Sequence, residues 1–357
     1  MKQLKISLLA AILSAPLLGC ANAPAQSESK SLSEESSSVV PSSSEEPKEE
    51  VSVFVLTGQS NMEGQTQWGN DYLKNAMQAV QDSGEFENVS VDDYQMLVDG
   101  IETVRTSYYG CGYGEIYTPS NIHASNKTTP IEGQFENTKV GMGAKDDRMG
   151  PELGCAYGLR AAAKKTIYFI KAGISGSGFA QNGEDKINWN VEKEQNLYVN
   201  HLKPYTENCL SLIEGETGIK PTIRGFLWMQ GESDSDEKKI PVYAERLNAL
   251  VDTFRTDFKD YAKNGDGNSI ALIDACIYDN DGTLWGAQNS QDLNRVKMEN
   301  AAAHVNVYCI NTSWKIEGGM KLSTGSPGGD FMHYNTESSF RLGLAYADVI
   351  LKNGLLK

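Results

Sequence analysis

Five runs along the chain are apolar at nearly every position instead of at every second one: 51–57, 166–174, 222–230, 269–277 and 305–311. A half-buried strand alternates, whereas a strand covered on both faces does not, so these runs predict a parallel sheet with helices on either side. The segments between them carry the complementary signal. Residues 151–165 are Ala-rich, open with Pro151 and end in Lys164 and Lys165, which suits a helix start and the negative end of its dipole. Residues 201–216 and 241–262 place apolar side chains three and four apart, 289–304 precede the fifth strand, and 336–351 close the chain as a last helix. This alternation predicts the α/β class: a three-layer α/β/α sandwich around a five-stranded parallel sheet. One stretch, 69–149, lacks sustained periodicity and is rich in Gly, Asn, Asp and Tyr. A structureless loop of that length is improbable in a compact domain, so an excursion with its own short elements is expected near the mouth of the site.

The first 50 residues do not share the pattern. Lys2 and Lys5 precede an apolar run, 6–18, that is shorter than the roughly 20 residues a membrane-spanning helix needs. It ends Leu17-Leu18-Gly19-Cys20, which resembles a bacterial lipobox. The expectation is a signal peptide over 1–19, a lipidated Cys20, and a Ser- and Glu-rich tether over 20–50 too polar to bury a core. The folded domain is then 51–357, outside the cytoplasm and joined to the cell membrane only through the N-terminal lipid.

Charge narrows the partners. The chain has 32 Lys and Arg against 47 Asp and Glu, a formal net charge of −15. Phosphate backbones require a basic face, so nucleic acid is not an expected partner. Beyond Cys20 there are Cys111, Cys155, Cys209, Cys276 and Cys309, an odd number without C-x-x-C spacing. A zinc site has no support, and no cofactor is expected. Oligomeric state is not readable from the chain.

Candidate chemistry sits at strand ends. Gly58-Gln59-Ser60-Asn61-Met62 follows the first strand, and Asp330-Phe331-Met332-His333 comes after the fifth. A serine at the carboxyl end of a strand, with a histidine three residues beyond an acid, supplies the parts of a hydrolytic triad. Ligands of open α/β sheets bind beyond the carboxyl ends of the strands, where Gly173-Ile174-Ser175-Gly176-Ser177 and Gln230-Gly231-Glu232-Ser233-Asp234 also fall. Trp68, Trp189, Trp285 and Trp314 lie in or beside expected loops, where rings either stack on sugars or pack.

Four blocks in this order, Gly58-Gln59-Ser60-Asn61-Met62-Glu63-Gly64, Gly150-Pro151-Glu152, Trp228-Met229-Gln230-Gly231-Glu232-Ser233-Asp234 and Asp330-Phe331-Met332-His333-Tyr334-Asn335, resemble the SGNH hydrolase superfamily. The nearest branch is the sialate O-acetylesterase-like and carbohydrate esterase family 6 acetylesterases. The resemblance implies a flavodoxin-like sandwich. It makes Ser60 the nucleophile, His333 the base and Asp330 its acidic partner, with Glu232 as the alternative acid. For the oxyanion hole it implies the backbone N–H groups of Ser60 and Gly176 and the side-chain amide of Gln230. The substrate class it implies is an acetylated carbohydrate, such as xylan or a sialic acid, cleaved through an acetyl-enzyme. A glycan-binding lipoprotein without catalysis, or an esterase acting on lipids or thioesters, are the alternatives.

Overall fold

The computed structural model describes residues 50–110, 134–179 and 188–357, all within the unit Glu49–Lys357. The expectations for the leader, Cys20, the tether to residue 49 and Cys111 lie outside these residues.

In chain order the first half comprises β1 (Val51–Gly58), α1 (Ser60–Glu63), β2 (Thr66–Gln67), α2 (Tyr72–Ser83), α3 (Tyr94–Asp99), β3 (Ile101–Gly110), β4 (Glu136–Thr138), β5 (Arg148–Met149), α4 (Pro151–Leu159) and β6 (Ile167–Gly173). The second half comprises α5 (Lys203–Thr217), β7 (Pro221–Met229), α6 (Ile240–Asp257), β8 (Ala271–Ala275), α7 (Ala287–Ala303), β9 (Val307–Ile310) and α8 (Thr336–Lys352). The main sheet has the order β4-β3-β6-β1-β7-β8-β9. Every neighbouring pair in it is parallel except the antiparallel β3–β4 edge.

The three-layer α/β/α class holds, and all five expected strands are present as β1, β6, β7, β8 and β9. The strand number is corrected from five to seven. Both additions come from the stretch read as irregular. β3 is a ten-residue strand hydrogen-bonded to β6. Its sequence mixes Glu102, Thr103, Arg105, Thr106 and Ser107 among apolar residues, which hid it. Its buried hydroxyls are matched instead of solvated: Thr106 Oγ1 bonds Thr138 Oγ1 at 2.8 Å and Ser107 Oγ bonds Tyr205 OH at 2.6 Å. α2 lies in the same stretch and was not read either, although Leu73, Ala76, Met77 and Val80 form one buried helical stripe before the left-handed Gly84.

Helices flank the sheet. α8 packs against α4 and α2, α6 packs on α7, and α5 lies against β7. Between α4 and α8 the backbones nearly touch, since a Cβ on Gly154 would stand 2.2 Å from Phe340 O. β7 carries an aromatic cluster in which Trp228 meets Trp189, Phe179 and Phe226. Trp189 is thus a core residue, not a sugar platform.

The register determines what the sheet can present. Gly58 pairs with Gly173 on one side and Met229 on the other, and Gly110 also pairs with Gly173. The residues just beyond this row, Ser60, Ser175–Gly176 and Gln230–Glu232, therefore emerge along one carboxyl edge.

Candidate active site

The turn carrying Ser60 is held by backbone contact with β7. Gly58 has φ of +139°, and a Cβ there would stand 2.0 Å from Met229 O, so only glycine fits. The Gln59 N–H donates to Met229 O at 2.9 Å. Gln59 Oε1 accepts from Gln230 Nε2 at 3.2 Å and from the Gly231 and Ser233 amides at 3.4 Å each. Ser60 then opens α1 and is 8% exposed. The Met62 and Glu63 amides return to Gln59 O, both at 2.9 Å, whereas the first N–H groups of a helix, including that of Ser60, have no acceptor within it.

The histidine loop precedes α8. Asp330 Oδ2 lies 2.9 Å from His333 Nδ1, and Asp330 Oδ1 accepts the amides of Met332 at 2.8 Å and His333 at 2.9 Å. Burial alone would raise the Asp330 carboxyl, but the bonds from the His333 ring and the two amides outweigh it, and the group lies below its ordinary value. An ionised carboxylate only accepts, so Nδ1 carries the hydrogen and the neutral ring keeps its lone pair at Nε2.

Asn61 joins these two segments. Its Oδ1 accepts the Tyr334 N–H at 3.1 Å, and its Nδ2 donates to Glu232 Oε1 at 2.7 Å. Thr66 Oγ1 adds a bond to Tyr334 O at 2.9 Å, and the Gln67 N–H one to Gly328 O at 2.7 Å. The residue after Ser60 is thereby bonded to the residue after His333. Among the described residues no hydrogen bond joins Ser60 Oγ to His333. Such bonds often form fully only once substrate is bound.

Glu232 is 2% exposed, and its Oε2 has no hydrogen-bond partner among the described residues. Burial raises its carboxyl above the ordinary range, against the opposing pull of Asn61, Lys297 and His333. Its hydrogen bond goes to Asn61, while the His333 Nδ1 is taken by Asp330. Gln230 departs from expectation. It is fully buried, and Nε2 donates to Asp234 Oδ2 at 2.8 Å and to Gln59 Oε1 and Ser177 O at 3.2 Å each. Its amide braces the two turns and has no spare hydrogen for an oxyanion. Gly176 lies on the edge as expected, with φ of +71° and its carbonyl accepting Ser233 Oγ at 3.3 Å.

Three residues of this arrangement were not read from sequence: Asn61 as a bridge, Glu63 and Lys297. Lys297 lies fully buried beneath the block of Glu232. Its Nζ donates to Gln230 O and Ala275 O and pairs with Asp274 Oδ1 at 3.0 Å. The signal was present: Ser290, Leu293, Asn294, Lys297 and Asn300 form the inward stripe of α7, and a lysine on such a stripe needs a partner. Among the described residues no group of three or more His, Cys, Asp or Glu side chains is arranged around a metal position.

The family described as carbohydrate esterase, sialic acid-specific acetylesterase, matches residues 126–352, which include Glu232, Asp330 and His333 and follow Ser60. No curated relative matches the sequence. Among solved structures, a protein from Arabidopsis thaliana has a TM-score of 0.52 at 16% identity, over 85% of this chain and 99% of that one. NanS has a TM-score of 0.52 at 14% identity, over 86% of this chain and 98% of its own. At such identity the likeness is one of fold. The family match spans most of the folded unit, and with it the chain belongs to the sialic acid-specific acetylesterase family of carbohydrate esterases and is a carboxylic ester hydrolase.

Proposed function

We propose that the enzyme removes O-acetyl groups from a carbohydrate by double displacement at Ser60. The observation that carries this reading is the bond from Asn61 to Tyr334, which ties the nucleophile turn to the Asp330–His333 pair. In the first step His333 Nε2 takes the Ser60 proton as Oγ bonds the acetyl carbon. The tetrahedral intermediate then collapses, the C–O bond to the sugar breaks, and the imidazolium gives its proton to the departing sugar oxygen. In the second step His333 takes a proton from water as the water oxygen attacks the acetyl-enzyme. Acetate leaves, and the proton returns to Ser60. Asp330 holds the ring tautomer and stabilises the imidazolium. The N–H groups of Ser60 and Gly176 are the donors assigned to the oxyanion. Gln230 acts behind them by holding Gln59.

Phe331, between the acid and the base, is 63% exposed. An aromatic face there suits the apolar face of a pyranose. The test is acetate release from acetylated xylan, acetylated mannan, sialic acid esters and aryl acetates. Ser60→Ala should lose several orders of magnitude in turnover, and full activity in that variant ends the mechanism. Phe331→Ala should raise KM for the preferred sugar ester. The lipobox-like Leu17-Leu18-Gly19-Cys20 supports a lipid anchor, tested by incorporation of labelled fatty acid into the full chain and its loss in Cys20→Ser.

A further inference from the structure

Glu63 is a carboxylate without a task in the reaction above, yet it is only 4% exposed. Its Oε2 accepts the hydroxyl of Ser175 and the Gln65 amide, the latter at 3.2 Å, and Gln65 Nε2 also lies 3.2 Å from Ser175 Oγ. These three side chains link the end of α1 to the turn that follows β6. The backbones are close as well. A Cβ on Gly173 would stand 2.4 Å from Glu63 N, and the Ile174 N–H donates to Gly58 O at 3.0 Å. Lys171, buried and paired with Glu152 at 2.6 Å, also interacts electrostatically with Glu63.

We propose that Glu63 is a positioning residue, whose carboxylate fixes the Ser175–Gly176 turn relative to the turn carrying Ser60. The inference rests on Ser60 being the nucleophile, as above, and adds the means by which two oxyanion donors on separate loops keep one spacing. The Gly176 N–H belongs to the peptide plane that begins at Ser175. Anchoring the Ser175 side chain restricts that plane, and the bond from Ser233 Oγ to Gly176 O restrains the next. Without these restraints a glycine at φ of +71° rotates readily.

The experiment compares Ser175→Ala, Glu63→Ala, their double variant and Glu63→Gln on p-nitrophenyl acetate, with the rate of Ser60 phosphonylation by a p-nitrophenyl phosphonate as a second readout. Displacing one oxyanion donor should lower kcat and the phosphonylation rate by about 10- to 100-fold. KM should move by less than about threefold, because the interaction is made in the transition state. The double variant should be no worse than the poorer single one, since both remove the same bond. Glu63→Gln should retain most activity, because its amide oxygen still accepts from Ser175. Unchanged kcat, a rise in KM alone, or losses that multiply in the double variant would each overturn the proposal. Should Glu63→Ala not fold, Ser175→Ala removes the same bond from the half-buried loop side, and its kcat decides. A wild-type enzyme inert on every acetyl ester would overturn the hydrolytic reading and this inference with it. Hydrolysis that depends on Ser60 but ignores Glu63 and Ser175 would overturn the inference only.

Discussion

The side chain of Asn61 and the backbone N–H of Tyr334 meet at 3.1 Å across 273 residues of sequence. With its other end on Glu232 Oε1 at 2.7 Å, Asn61 makes one bonded chain of the Ser60 turn, the turn after β7 and the His333 loop. The amide is suited to this because it donates and accepts at once.

Asn61→Asp should show that the bridge needs both functions. The new carboxylate still accepts from Tyr334 but puts an acceptor where the amide donated to Glu232 Oε1, so the second bond of the bridge is lost. We expect kcat to fall by about 10- to 100-fold, the scale of a slight misplacement of reacting groups. Adding Glu232→Gln, whose amide can donate to that carboxylate in place of the lost bond, should restore much of it. Steady-state kinetics of the two single variants and the double check this.

Asp330 and Glu232 should separate sharply. Asp330→Asn removes the acceptor for His333 Nδ1 and should cost about 10⁴-fold in kcat, the effect of a wrong tautomer. Glu232→Gln keeps an oxygen toward Asn61 and should stay within about tenfold of wild type. The reverse ranking in acetate-release assays would move the acidic role to Glu232.

Lys297→Met should destabilise the fold by about 3–5 kcal/mol, because it strands a buried charge. Burial pushes the Asp274 carboxyl up to about 6 even with Lys297 beside it. Combining Lys297→Met with Asp274→Leu should recover part of the loss, read from urea midpoints at constant slope.

His201 should make the protein acid-sensitive. The ring is fully buried, and burial lowers its pKa from 6.5 to about 4. A folded value below the unfolded one means that this contribution is complete above pH 6.5 and is lost as pH falls toward 4. The difference corresponds to about 3 kcal/mol. His201→Gln, which cannot titrate, should lose less stability than wild type between about pH 7 and pH 4 in thermal or urea unfolding.

Much of the fold was legible because its strands are buried on both faces and its helices carry one-sided stripes. α7 is expected over 289–304 and found at Ala287–Ala303; α8 is expected over 336–351 and found at Thr336–Lys352. The helix expected over 151–165 stops at Leu159, and β3 escaped notice because its buried polar side chains satisfy one another across the fold. The same reason explains Gln230: nothing near it in sequence reveals that its amide faces Gln59 and Asp234.

Local patterning alone determined the layer architecture, the strand that leads into Ser60 and the Asp-x-x-His segment, since burial periodicity and backbone preferences act over a few residues. Tertiary structure decided which acid meets the imidazole, that the Gln230 amide faces Gln59, Ser177 and Asp234, and that Asn61 and Glu63 tie separate turns together. Polar groups must find partners once water is excluded, and packing chooses those partners from segments remote in sequence.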